Sequence, residues 1–432
     1  MLNNLVDWAV QNRLLVLLGL VAALITSVMS IQQLNLDAFP DVTNVQVQVN
    51  TEAPGLAAEE VEQLITFPIE AVMYSLPNVE EVRSISKTGL SGISVVFKEG
   101  TDIYFARQLV FEQLQAAREN IPDGVGTPEM GINTSGLGMV FQYVLLADPD
   151  SGVDAMQLRT LNDWVVKLLL LPVGGVTDVL SFGGEVRQYQ VQLKPERLLS
   201  YGLSASDVIE AIGANNRNAG GWYVNRGAEQ LVLRAVGWIR SGDEGLTDLG
   251  NIPIKEADGV VVKVKDVAIT ELGGEIRQGA VTMTTRDEAG KPVSRGEVLA
   301  GIVFKRKGEN TNATIEGVYE KLPLIAQALP DGVVLQPYYD QADLIDKAVS
   351  TVVKALLEAF VLIIIILLLF LMNLRATLLV LLSIPLSIGL ALTAMAYWGV
   401  SANLMSLGGL AIAIGMMVDG SVVMMENIFS HL

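Results

Sequence analysis

Four long apolar stretches fix what this chain can become, because a segment crossing a bilayer must close its backbone hydrogen bonds within itself. They lie at Leu14–Ile31, Leu356–Met372, Ala376–Trp398 and Asn403–Asn427. Each is long enough for a helix through about 30 Å of hydrocarbon. Pro385 and Gly389 fall inside the third, where both residue types are tolerated in membrane helices. Gly399-Val-Ser-Ala402 reads as a tight turn into the fourth. Residues 32–345 carry no such stretch, so the order is one span, a large polar region, then three spans.

Met1 to Arg13 reads as a short amphipathic helix with Trp8 at the interface. A cleaved signal peptide is the other reading of the first stretch. The polar Gln32-Gln33 end and the lack of a small-x-small site argue against it. Arg13 flanks the first span and Arg375 lies in the basic short loop, so both are expected on the cytoplasmic side. The N-terminus then lies inside, the large region outside, and the fourth span runs inward.

The fourth span carries two carboxylates, Asp419 and Glu426, spaced to fall on one helical face. A charge at the bilayer centre costs about 3 kcal/mol on insertion scales, so such an acid is by default a functional site. The plainer reading is a structural acid paired with a neighbouring helix. Gly408 and Gly415 lie on nearly the same face as Asp419 and would let a neighbouring helix approach closely. Met417 and Met424 share a different face, where lipid contact or packing is the ordinary role.

The chain is half hydrophobic yet carries 47 acidic and 29 basic residues, a mixture that suits a membrane protein with a large aqueous part. A net charge of -18 argues against nucleic acid as partner. There is no cysteine, and the single histidine is His431. Disulfide scaffolds, thiolate zinc sites and histidine clusters are therefore excluded. A metal would meet carboxylates or the thioethers of the fourteen methionines, and thioethers favour soft ions.

In the polar region, Asn44–Asn50 alternates as a strand and Ala57–Tyr74 has helical periodicity. Val82–Ser86, Ile93–Phe97 and the helix Ile103–Arg118 follow, up to Pro122-Asp-Gly124. That order is the split βαβ, ferredoxin-like sandwich. A second unit opens with Met139–Ala147, the helix Ala155–Leu171 and the strand Val176–Phe182. Its completing elements come later, at Gly296–Lys305, Ala313–Ala328 and Val333–Tyr339, so another folded piece interrupts it. Gly183-Gly184 and Gly273-Gly274 read as turns at the entry and exit of that piece. Within it, the polar excursion Asn215–Leu231 bears Trp222 and Tyr223, a composition suited to the core of a subunit interface. No nucleophile elbow, histidine base or phosphate-cradling loop is present, so the chain reads as no enzyme and calls for no cofactor.

Several motifs, taken in order, resemble the heavy-metal efflux family of the resistance–nodulation–division (RND) transporters. They include Asp37-Ala-Phe-Pro-Asp-Val-Thr-Asn-Val-Gln-Val-Gln-Val49, Ala53-Pro-Gly55, Glu60 through Glu70, Gly100 through Arg107, Leu161-Asn-Asp-Trp164 and Phe182-Gly-Gly184. The fourth span, from Asn403 through Val418-Asp-Gly420 to Met425-Glu-Asn427, resembles that family's proton-relay helix. The resemblance implies an α+β membrane protein with two ferredoxin-like porter subdomains, the second interrupted by an α+β docking subdomain. The divisions would be 1–31 for the amphipathic helix and first span, 32–134 for the first porter subdomain, 135–186 with 275–345 for the second, 187–274 for the docking insert, and 346–432 for spans two to four. It also implies proton-driven export of metal cations from the inner membrane, by a homotrimer joined to a periplasmic adaptor and an outer-membrane channel.

Residue by residue, Asp419 matches the relay aspartate and Glu426 a second acid of that helix. Met405, Met417 and Met424 match a methionine path for soft ions. Ala413 stands where divalent-ion exporters carry an aspartate, and Ile276 where the copper/silver branch has a methionine. Monovalent and divalent ions both stay open. Family members are over twice this length and consist of two similar halves, so the likeness is to the N-terminal two-fifths. Two other readings share the architecture: a membrane-anchored binding, assembly or sensor module without transport, and drug or lipid export by an RND relative. An anchor has no use for acids inside a span.

Overall fold

The computed structural model describes residues 8–430 except 10, 38, 123, 258, 278, 288, 372 and 373. Most of the N-terminal segment expected as an amphipathic helix therefore lies outside the described residues.

The first folded unit runs from β1 (Val45–Glu52) through a helix at 58–73, β2 (Val79–Lys87), β3 (Leu90–Phe97), the helix Ile103–Arg118 and β4 (Pro128–Met130). Strict alternation along β1 turns Val47 and Val49 inward and leaves Gln48 and Asn50 wet. Asp102 starts the second helix by accepting from the Phe105 amide at 2.8 Å. Val110, Leu114 and Ala117 on that helix meet Val61, Ile65 and Ile69 of the first over the inner faces of β1 and β3. The sheet is antiparallel in the order β2-β3-β1-β4, the arrangement of a split βαβ sandwich.

The second unit repeats this order with its halves far apart in sequence. It comprises β5 (Thr134–Ala147), a helix at 155–170, β6 (Val176–Phe182), β14 (Pro292–Arg306), the helix Thr311–Ala328 and β15 (Val333–Asp340). β14 pairs with both β5 and β6, and β15 closes on β5. The hairpin partner β13 (Val281–Arg286) extends the upper part of β14 beyond the sandwich. Both units share a detail that the residue pattern does not announce: one π turn in the first helix, at Glu62–Thr66 and Asn162–Val166. Each turn carries a fully buried polar residue. Thr66 bonds Ser86 and Ser91 at 2.8 and 2.7 Å, while Asn162 bonds Tyr143 and Ser181, each at 2.7 Å.

Between β6 and β13 lies the inserted piece, with its own core around Leu198, Val208, Leu249 and Val264. It enters on β7 (Arg187–Leu193) and leaves on β12 (Ala268–Gly274), which pair along their whole length. Gly183 and Gly184 do turn the chain, with φ of 81° and 65°. Gly273 and Gly274 do not. They end β12 opposite Gln188 and Arg187, and the side chains of Gln190 and Glu185 fill the room that a Cβ would occupy. Within the insert, β8 (Ala219–Arg226) and β9 (Glu229–Ala235) form a hairpin in which every residue is exposed, and β10 (Pro253–Ala257) pairs with β11 (Val260–Lys263).

Among the described residues, four helices are long and apolar enough to cross a membrane. They are Arg13–Gln33, Gln341–Leu371, Leu374–Trp398 and Leu404–Ser430. The second begins fifteen residues before the apolar run expected at Leu356. No glycine or proline interrupts residues 341–371, and Asp340 caps the start by accepting from the Ala342 amide at 2.7 Å. β15 therefore feeds into this helix without a loop. The first apolar helix packs on the third at Ser27 and Gly389. Between the first apolar helix and β1 the chain forms a strap in which Leu36 makes a parallel bridge with Ala402, in the turn that precedes the fourth apolar helix.

Candidate functional site in the fourth apolar helix

Asn403 starts the fourth apolar helix. Its side-chain oxygen accepts from the amides of Met405 and Ser406, both at 3.0 Å, and its own amide donates to the Ser406 hydroxyl at 2.9 Å. This reciprocal cap satisfies donors that would otherwise end unpaired in hydrocarbon. Asp419 lies about 24 Å further along the axis at 1.5 Å per residue, close to mid-helix. Its side chain is exposed, and among the described residues no hydrogen bond or ion pair reaches it. Glu426 continues the helix two turns on, but its side chain lies outside the described residues.

Gly408 and Gly415 line an apolar groove of about 600 Å³ with Thr351, Phe360, Pro385 and Ala411, between the second, third and fourth apolar helices. A Cβ at either glycine would meet nothing within 4 Å, so in this chain they border open space. Met405 and Met424 are exposed, and Met417 is half-buried. Met417 and Met424 fall on one face by helical spacing, with Met405 about a third of a turn away. Among the described residues no three Asp, Glu, His or Cys side chains group to hold a metal. In the insert, Trp222 and Tyr223 stack with ring centres 5.2 Å apart, both exposed on the hairpin.

Two features at a distance from Asp419 are absent from the sequence reading, though each has a local signal. One is the polar cluster inside the second sandwich, where Tyr143 donates to Asn162 at 2.7 Å and burial pushes the Tyr143 hydroxyl's pKa upward. Asp163 continues the cluster by bonding Ser181 and pairing with Arg159 at 2.8 Å. The available signal was an asparagine in the otherwise apolar series Leu158, Asn162, Val166, Leu170. The other is the Asn403 cap, legible as Asn-x-x-Ser ahead of an apolar run.

Four helices of membrane-crossing length bearing two split βαβ units define the class: a multi-span membrane protein with a large folded head. The chain belongs to the AcrB/AcrD/AcrF family of RND transporters, whose description matches residues 5–432. It is 43% identical over 433 residues to the cation efflux system protein CzcA of Alcaligenes sp. (strain CT14), covering 99% of this chain and 39% of that protein. It is 36% identical to the cation efflux system protein CusA of Escherichia coli (strain K12), covering 99% of this chain and 40% of that one. A crystal structure of a heavy metal efflux pump superposes with a TM-score of 0.85 at 36% identity, over 99% of this chain and 41% of the pump. The chain thus spans about two-fifths of the length of these relatives.

Proposed function

We propose that this chain acts as part of a proton-driven inner-membrane transporter that exports heavy-metal cations. The observation that carries the reading is Asp419, a titratable group near the middle of a membrane-length helix, in a chain 43% identical to a cation efflux protein. A carboxylate there can take a proton from the outer side and release it to the cytoplasm. One elementary charge crossing 100 mV supplies about 2.3 kcal/mol to bias the conformational cycle. In this reading the N-terminus is cytoplasmic, by the placement of Arg13 and Arg375, and the folded head is periplasmic. The two sandwiches are porter subdomains, and the insert docks neighbouring subunits through Trp222 and Tyr223 in a homotrimer that meets an adaptor and an outer-membrane channel. Glu426 is the second relay acid, and Met405, Met417 and Met424 offer thioethers to a soft cation. Gly408 and Gly415 leave the groove open for a further helix of the complete transporter.

The test is Asp419→Asn in the complete transporter, which keeps the shape of the side chain and removes its titration. Metal resistance of cells should be lost with membrane expression and assembly unchanged. Full resistance in cells carrying this substitution would remove Asp419 from the mechanism.

A further inference from the structure

We infer that Asp37 is a positioning residue that couples the second sandwich to the helix bearing Asp419, an inference that rests on the transport reading above. Its backbone and its side chain hold two different bodies. The Asp37 amide donates to the Ala402 carbonyl at 3.1 Å, and the Ala402 amide donates to the Asn35 carbonyl at 2.9 Å, completing the Leu36–Ala402 bridge. The Asp37 carboxylate accepts from the Thr311 hydroxyl at 3.0 Å and lies 4.0 Å from the Lys305 ammonium. Thr311 opens the helix Thr311–Ala328 and Lys305 lies near the end of β14, so both belong to the second sandwich. The residue after Ala402 is Asn403, the cap of the fourth apolar helix.

The path from the second sandwich to that helix therefore consists of short links: Thr311 to Asp37, Asp37 to Ala402, and Ala402 to Asn403. Thr311, Ala402, Asn403 and Leu34 are buried, the Asp37 side chain is partly buried and Asn35 is exposed. At the buried partners Thr311 and Ala402 water replaces a lost hydrogen bond poorly, and the loss costs more there than at the surface. The strap is also clamped at its far end. Lys307 donates to the Thr43 carbonyl at 2.8 Å and the Gly136 amide donates to the Thr43 hydroxyl at 3.1 Å, while at the near end Asn310 donates to Asn35 at 3.2 Å. Held at both ends, the strap moves with the second sandwich and carries its displacement to the first turn of the fourth apolar helix. The direct connection from β15 leads into the second apolar helix, which meets the fourth along the groove at Gly408 and Ala411, beyond its first turn. Coupling of this kind requires an element whose position both sites bias, and the strap supplies it.

The experiment uses the complete transporter in vesicles under an imposed pH gradient, recording initial rates of metal uptake and of proton flux. Unaltered protein that moves metal with the gradient, and an Asp419→Asn variant that does not, establish the transport reading. Failure of that pair would overturn the reading itself, and this inference with it. Given that pair, Asp37→Ala and Thr311→Val should each lower kcat about tenfold with KM for the metal within about twofold, the pattern of a lost conformational link. Proton flux should no longer depend on added metal. Thr311→Ser, which restores the hydroxyl, should recover most of the rate, and the Asp37→Ala/Thr311→Val double variant should be no slower than either single one. These 432 residues hold no cysteine, so with any cysteine elsewhere in the complete transporter replaced, a Leu36→Cys/Ala402→Cys pair can be oxidised to fix the bridge covalently. Paired strands lie about 4.8 Å apart, within disulfide reach. The oxidised protein should retain transport, since the link is kept throughout the cycle. A normal kcat in Asp37→Ala, a change confined to KM, no recovery with Thr311→Ser, or arrest on oxidation would each overturn the inference.

Discussion

A Cβ placed on Gly389 would lie 2.6 Å from the Ser27 hydroxyl and 2.8 Å from the Ser27 Cβ. The first and third apolar helices touch there because one of them has no side chain, and Thr393 reinforces the contact by donating to Ser27 at 3.3 Å. The Ser27 hydroxyl in turn donates to the Ala23 carbonyl at 2.7 Å, so it is not free to swing aside without losing that bond. Gly389→Leu should separate the helices and cost about 1–3 kcal/mol, the usual range for overpacking. A thermal-unfolding scan in detergent should show a lower midpoint, and Gly389→Ala combined with Ser27→Gly should recover most of the loss seen with Gly389→Ala alone. An unchanged midpoint for Gly389→Leu would show that the helices pack elsewhere.

The Tyr143–Asn162 bond makes a second, independent prediction. Tyr143→Phe removes the donor and leaves the Asn162 oxygen buried, a loss of about 1–3 kcal/mol. Tyr143→Phe with Asn162→Leu should cost less than the two single changes added together, since neither polar atom is then left alone. The pH dependence follows from the direction of the shift. The folded-state pKa of Tyr143 is raised by burial above its ordinary value of 10.0. Its contribution is therefore fully present below pH 10 and is lost as pH rises through the folded value. Chemical denaturation followed at pH 8 and pH 11 should show a larger drop for the unaltered protein than for Tyr143→Phe. Equal drops would sink this account.

Legibility in the sequence followed the physics of each signal. Long apolar runs and period-two strands are strong local signals, so all four long helices and most elements of both sandwiches could be read from the residues, but not β4, whose three residues are too few to show a period. The start of the second apolar helix could not, because its first half carries charges such as Asp343, Lys347 and Lys354 and is amphipathic rather than apolar. Gly273 and Gly274 were misread as a turn because glycine also serves where a neighbouring side chain needs the room, here Gln190 and Glu185. Asp419 stood out at once as a charge among apolar residues. Asp37 did not, since an aspartate in a polar segment looks ordinary until Ala402 and Thr311 are seen beside it.

The exposed hairpin of β8 and β9 should bind another copy of the chain. Trp222 and Val232 are 79% and 77% exposed, too much apolar surface for a hairpin that stays in water. Trp222→Ala should weaken assembly by about 2 kcal/mol or more, as expected for an aromatic at the centre of an interface. Cysteines introduced across the contact in the complete transporter, with any cysteine outside these 432 residues replaced beforehand, should crosslink into trimers. Purely intramolecular products would leave the hairpin a free surface element.

The last prediction concerns these 432 residues on their own. Both sandwiches and the insert have separate buried cores, and the first and third apolar helices are in contact, so the chain should insert and its head should fold. Coupled transport asks for more. The Asp419 carboxylate meets no partner among the described residues, and the groove beside Gly408 and Gly415 stands open. An acid without a facing group has nothing to which its proton state can be coupled, and an unfilled groove gives the helices no second packing to switch into. Reconstituted alone into vesicles under an imposed pH gradient, the chain should move no metal cations above a protein-free control. The longer transporter should do so under the same conditions. Robust gradient-dependent uptake by the 432 residues alone would mean that Asp419 works without an opposing helix.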